Sequence, residues 1–111
     1  ATPEMAVASE ETFGPVTPIL EVADLDEAIG VANDSPYGLQ SAVFTESLRK
    51  AHRAVDELQA GGVMVNSTNN FWEHQLPFGG YKQSGSGGRF KGKWHLESMT
   101  QVKAVAIDYG E

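Results

Sequence analysis

Over its first two-thirds the chain alternates short apolar runs with amphipathic stretches. Thr17 to Val22 sets Ile19, Leu20 and Val22 in an extended run, which predicts a first strand. Asp24 follows as a helix N-cap, with Glu27 three residues on at the spacing of a capping box. Leu25, Ala28, Ile29 and Ala32 then recur at helical spacing and form one apolar face. Asn33-Asp34-Ser35-Pro36 ends that helix, because proline disfavours a helical residue before it and Asp and Ser favour turns. A second strand is predicted over Leu39 to Thr45, centred on Ala42-Val43-Phe44. Ser47 caps a second helix in which Leu48, Ala51, His52, Val55 and Leu58 share a face. Gly61 and Gly62 stop it, since glycine accepts the left-handed conformation just past a helix end. Val63 to Asn66 is short and apolar on both faces, as a central parallel strand should be.

Three strands alternating with two helices make two βαβ units. The pattern therefore predicts an α/β fold with a parallel βαβαβ sheet and flanking helices. Ala1 to Ser9 carries little pattern and is expected to be extended. After Asn66 the alternation stops, and Ser67 to Gln75 is a polar loop carrying Phe71 and Trp72. It leaves the C-terminal end of strand three, where open parallel sheets form ligand crevices. Its aromatics would line an apolar channel or cap the core of the same domain. A glycine-rich loop follows, with 6 of the chain's 12 glycines between Gly79 and Gly92. At the end, Gln101 to Asp108 is apolar on both faces and reads as a final strand. An unpaired edge of that kind invites association, so it pairs either with another subunit or within its own domain.

Composition narrows the class. At 111 residues the chain is one domain by length, with room for a core. An apolar content of 41% with 21% charged residues fits a globular protein and excludes a disordered one. No run approaches the roughly 18–20 apolar residues of a membrane span, and none reads as a secretory leader. The absence of cysteine excludes disulfides and is compatible with a cytoplasmic location. A net charge of −7 argues against a nucleic-acid partner. Every charged residue before Arg49 is acidic, whereas Lys82, Arg89, Lys91, Lys93 and Lys103 gather in the last third. Such asymmetry fits two ends that meet, a face turned towards another part of a larger protein, or a solvated surface.

Three groups of residues raise a question of chemistry. His52, His74 and His95 have no metal-ligand spacing, so no metal site is expected. Lys82 inside the glycine-rich loop suggests a phosphate cradle, but neither Gly-Xaa4-Gly-Lys-Ser/Thr nor a Gly-Xaa-Gly-Xaa-Xaa-Gly after a strand is present. Glu10-Glu11-Thr12-Phe13-Gly14-Pro15-Val16 joins two carboxylates, an aromatic and a rigid Gly-Pro step. Read from physics alone it is an acidic, solvated lead-in to a strand, or a segment holding Glu11 and Phe13 beside a crevice.

Glu-Glu-Xaa-Phe-Gly-Pro-Val resembles the cofactor-ribose motif of the aldehyde dehydrogenase superfamily. The same family's order continues through Asn33-Asp34-Ser35-Pro36-Tyr37-Gly38-Leu39, Ala42-Val43-Phe44-Thr45, Gly62-Val63-Met64-Val65-Asn66 and Pro77-Phe78-Gly79-Gly80-Tyr81-Lys82-Gln83-Ser84-Gly85. Several motifs in the right order form a specific signal where one would be weak. The resemblance runs from about Thr2 to Ile107 and implies a C-terminal segment of an enzyme several times longer. Residues 1–100 would then be the end of a catalytic domain, and 101–111 an oligomerisation strand and tail.

The resemblance implies oxidation of an aldehyde to an acid through a cysteine thioester, with hydride passed to NAD or NADP. This chain has no cysteine, so it would supply no catalytic residue and be inactive alone. Glu11 would accept hydrogen bonds from the nicotinamide ribose, and Phe13 would pack beside the nicotinamide. Phe71 and Phe78 would shape the aldehyde tunnel, and Pro77 to Gly85 would pack near it and lead to a short helix around Gly92 to Met99. Partners implied are the aldehyde, the rest of the same enzyme and, through 101–108, a second subunit. Two departures stand out: Phe90 takes the place of a glutamate and Lys91 that of an apolar residue, with an extra glycine in Ser84-Gly85-Ser86-Gly87-Gly88. A freestanding, non-catalytic module that binds a nucleotide or a partner is the other reading.

Overall fold

Why these residues form these elements is clearest at the helix ends of the computed structural model, which describes residues 1–69 and 73–110. A single turn, α1 (Ala6–Ser9), interrupts the leading segment expected to be extended. α2 (Leu25–Asp34) starts at Asp24, whose carboxylate accepts the Glu27 amide at 3.0 Å. The Glu27 carboxylate reaches back to the Ala23 amide at 2.6 Å, one residue before the cap itself. Two orphan donors are thus satisfied reciprocally. Gly30 lies inside α2 with open space where a Cβ would stand. Gly30→Ala is therefore expected to stabilise the chain by about 0.5–1 kcal/mol, read as a raised midpoint of denaturant unfolding.

Beyond Pro36 come β1 (Tyr37–Gly38) and β2 (Gln40–Val43), then α3 (Leu48–Glu57), capped by Ser47, whose hydroxyl accepts the Lys50 amide at 3.4 Å. β3 (Gly62–Val65) lies parallel to β2, with Gln40 opposite Gly62 and Val43 opposite Val65. One parallel βαβ unit is thereby formed, and the α/β class holds. Asn66 ends β3 at φ 52°, a left-handed position that Asn tolerates. Its side-chain amide accepts the Thr45 amide at 2.8 Å and donates to the Thr45 carbonyl at 3.0 Å, so a side chain carries the ladder one step past the strand. β4 (Tyr81–Lys82) pairs antiparallel with β1, and α4 (Gly92–Ser98) follows the glycine-rich loop.

The structure differs from expectation at three further places. Thr17 to Val22 pairs with no strand among the described residues, and the Ala1 amino group donates to its Ile19 carbonyl at 2.7 Å. The parallel sheet therefore has two strands, not three. Residues 101–108 pair with no strand among the described residues, and Val102, Val105 and Ile107 are exposed, which leaves the expected pairing with another subunit untouched. A strand exists only where a neighbour supplies backbone donors and acceptors, and apolar patterning cannot create that neighbour. On α3 the buried residues are Ala51 and Ala54, while Leu48 and Val55 are exposed. Finally, α3 ends at Glu57, before the glycines expected to stop it.

The core is small. Among the described residues the buried apolar side chains are Ile29, Ala51, Ala54 and Ala60. A compact chain of this length would have a radius of gyration of about 13 Å; the observed value is 19.2 Å, with a longest axis of 75 Å. The exposed surface is 8942 Å², against about 6,000 Å² for a compact monomer of this mass. No helix among the described residues is long and apolar enough to cross a membrane.

Candidate functional site

Leu39 and Gln40, at the step from β1 to β2, form a wall shared by two clefts. The larger, of about 520 Å³, lies between the Ser9–Glu11 segment and the end of α2. The smaller, of about 240 Å³, lies between β3 and the Leu76–Gly79 stretch.

Glu11 lines the larger cleft. The turn of α1 sets its approach, since the Glu10 amide bonds back to the Ala6 carbonyl at 2.7 Å. Downstream, the Val16 amide donates to the Gly14 carbonyl at 2.8 Å, closing a γ-turn around Pro15. The Glu11 side chain is exposed, and the ion-paired carboxylates among the described residues are Asp26 and Glu57 instead. Phe13 is 93% exposed and lines neither cleft, so the structure does not bring it together with Glu11.

The facing wall is a polar knot. The Lys82 ammonium donates to the carbonyls of Asn33 at 2.6 Å and Ser35 at 2.9 Å, at the C-terminus of α2. The Gln83 amide donates to the Pro36 carbonyl at 3.0 Å, and Ser84 Oγ accepts the Gly38 amide at 3.0 Å. Asn33 extends the knot to the end of α3, donating to the Glu57 carbonyl and accepting the Gln59 amide, both at 2.8 Å. Lys82 is thus spent on helix-end carbonyls, a placement favoured by the helix dipole. The glycines around it serve close approach: a Cβ on Gly85 would lie 2.1 Å from the Gly80 carbonyl oxygen. The loop is built as a packing device.

In the smaller cleft Phe78 is half-buried and exchanges both backbone hydrogen bonds with Phe90, at 2.8 and 2.7 Å. The Lys91 ammonium stands 5.6 Å from the Phe78 ring centroid, within cation–π range. Leu39, Val63, Leu76 and Phe78 make the walls largely apolar. Phe71 lies outside the described residues. Tyr37, Gln40 and Ser84 of the larger cleft were given no role by the sequence. Tyr37 and Ser84 stand within family-like motifs and Gln40 just beyond one, which marks a loop cluster without marking chemistry.

The perturbed titrations lie away from both clefts: Glu4 in the leading segment, held below the usual carboxylate range by the Thr2 hydroxyl, and Arg53 and Glu57 on α3. Arg53 pairs with Glu57 at 2.6 Å and with Asp26. The Glu57 and Asp26 hydrogen bonds hold its guanidinium charged still more firmly, and Arg53 in turn holds the Glu57 carboxyl below the usual range. This exposed bridge ties two helices and touches no site.

An α/β segment with an acidic cleft and an apolar cleft on either side of one strand is the class that fold and geometry define. The model of the aldehyde dehydrogenase family matches residues 1–105. Lactaldehyde dehydrogenase of Methanococcus maripaludis is 48% identical over 97 residues, covering 87% of this chain and 21% of the relative. The crystal structure of an NAD-dependent aldehyde dehydrogenase from Sinorhizobium meliloti superposes with a TM-score of 0.93 at 36% identity, over 100% of this chain and 22% of that one. An NADP-dependent glyceraldehyde-3-phosphate dehydrogenase from Bacillus halodurans, solved with NADP, gives 0.85 at 42% identity over 91% and 21%. The chain belongs to the aldehyde dehydrogenase family, and it spans about a fifth of the length of these relatives.

Proposed function

We propose that this chain is the C-terminal segment of an NAD(P)-dependent aldehyde dehydrogenase that oxidises an aldehyde to a carboxylic acid. Residues 1–100 would complete the catalytic domain, and 101–111 would carry the subunit contact. The observation that carries the reading is Glu11: an exposed carboxylate, outside the ion pairs, on the wall of a cleft. A carboxylate only accepts hydrogen bonds, and a ribose diol offers two donors, so the residue present fits the nicotinamide ribose. When bound, the cofactor supplies the hydride acceptor. Glu11 would orient it, and the Glu11 backbone would be steadied by α1 and the Pro15 turn. Phe13 would meet the nicotinamide end only if the chain there folds against the cleft or against the rest of the enzyme. Phe78 would wall the aldehyde channel and keep water from it, a role the family resemblance also gives Phe71.

The large exposed area supports a segment that packs on the rest of a larger enzyme. Phe44, Leu48 and Ile19 are apolar and exposed, which a freestanding domain avoids. The unpaired tail, with Val102, Val105 and Ile107 in the open, supports pairing with a neighbouring subunit. With no cysteine to form a thioester, the 111-residue chain is expected to be inactive by itself. The test is aldehyde-dependent NAD(P)H formation, with intact mass recorded on the same sample. No turnover by this chain and turnover by the longer polypeptide that contains it are expected. Turnover by a confirmed 111-residue chain overturns the reading, and inactivity of both favours a non-catalytic binding module.

A further inference from the structure

We propose that Lys82 is a positioning residue for the cofactor, acting through the wall that faces Glu11; this rests on the reading of the larger cleft given above. Lys82 sits at φ 50°, a left-handed backbone position unusual for lysine. That conformation turns the chain between β4 and Gln83 and lets the side chain run back to the end of α2. There its ammonium bridges two carbonyls two residues apart in sequence, Asn33 at 2.6 Å and Ser35 at 2.9 Å. The residues it gathers are those of the cleft. Asn33, Ser35, Gln83 and Ser84 all line it, opposite Glu11, while Lys82 itself does not.

The geometry makes Lys82 a clamp at the end of α2, beside the short β1–β4 pair in which Tyr37 lies opposite Lys82. On one side is the C-terminus of α2, and on the other the Tyr81–Ser84 turn. The hydrogen bonds of Gln83 to Pro36 and of Gly38 to Ser84 cross the same seam, each a neutral bond. Only the Lys82 bonds carry charge, and such bonds are roughly twice as strong as neutral ones. Removing the ammonium frees two helix-end carbonyls and lets Ser84 and Ser35 drift from Glu11. A cofactor held across the cleft would lose alignment on one side only. The aldehyde cleft is walled by β3 and Phe78 and has no Lys82 contact.

The test is equilibrium titration of NAD(P) binding, read by quenching of protein fluorescence, together with steady-state kinetics. Both use the complete enzyme carrying Lys82→Met, which keeps the stem and removes the charge, beside Lys82→Arg and Glu11→Gln. The Kd for NAD(P) is expected to move with its KM. Lys82→Met is expected to raise KM for NAD(P) about five- to tenfold, the loss of roughly one net hydrogen-bond contribution. KM for the aldehyde should stay unchanged, and Lys82→Arg should recover at least half of the loss. An unchanged cofactor KM overturns the proposal, as does an equal rise of both KM values or a Lys82→Arg variant no better than Lys82→Met. If Lys82→Met does not fold, Lys82→Gln takes its place in the same comparison, with the same outcomes. Glu11→Gln separates the two levels of argument. A cofactor KM and hydride-transfer rate insensitive to Glu11→Gln sink the cleft assignment itself. Sensitivity to Glu11→Gln with none to Lys82→Met sinks only the role of Lys82.

Discussion

Gly61→Ala is expected to destabilise the protein by at least about 3 kcal/mol, at or beyond the upper end of ordinary overpacking. A Cβ on Gly61 would stand 1.6 Å from the Gly79 carbonyl oxygen and 2.7 Å from its carbon. Both obstacles are backbone, so no rotamer change relieves them. The Gly61 amide meanwhile donates to the Gly38 carbonyl at 3.0 Å, so retreat of residue 61 would break the link to β1. Gly61 therefore joins β1, β3 and the glycine-rich loop at one point, between the two clefts. Gly14→Ala is the control: its Cβ would meet nothing within 4 Å, and a change within about 0.5 kcal/mol is expected. Denaturant unfolding of both variants checks the pair. Equal midpoints would show that the Gly61–Gly79 approach is not as close as described.

That glycine also marks what a sequence conveys and what it withholds. Gly61-Gly62 after an amphipathic run reads as a helix stop, yet α3 ends at Glu57 and the glycine is needed for close packing against a residue 18 positions away. Local signals were reliable where the cause is local. The Asp24 cap, the Ser47 cap and the break before Pro36 depend on neighbours within four residues, and all are present. Thr17–Val22 went astray because strand status depends on a partner that its own residues cannot specify. In α3, helical spacing predicts a face of larger residues, but burial falls on Ala51 and Ala54 while Leu48 and Val55 stay exposed. The candidate site divides the same way. Glu11 was legible because its motif is compact and unusual. Ser84 and Gln40 were not, since a long-range hydrogen bond and a shared wall bring them to the cleft. Lys82 was legible as outside any phosphate-loop spacing, but its true partners, the Asn33 and Ser35 carbonyls, lie too far along the chain to leave a local signal.

Glu11→Gln in the complete enzyme is expected to slow hydride transfer about ten- to hundredfold, since small misplacements of a reacting group cost that much. Glutamine keeps the length and one acceptor oxygen but loses the charge and the second strong acceptor. Ground-state binding of the aldehyde should not change, because Glu11 lines the larger cleft and has no place in the apolar one. The loss should therefore fall on the chemical step and on cofactor KM, sparing aldehyde KM. Single-turnover formation of NAD(P)H from an aldehyde deuterated at the carbonyl carbon is the most direct measurement of that step. A slower transient with an enlarged isotope effect in Glu11→Gln is the expected result, and a transient and isotope effect matching the unsubstituted enzyme would contradict cofactor positioning by this segment.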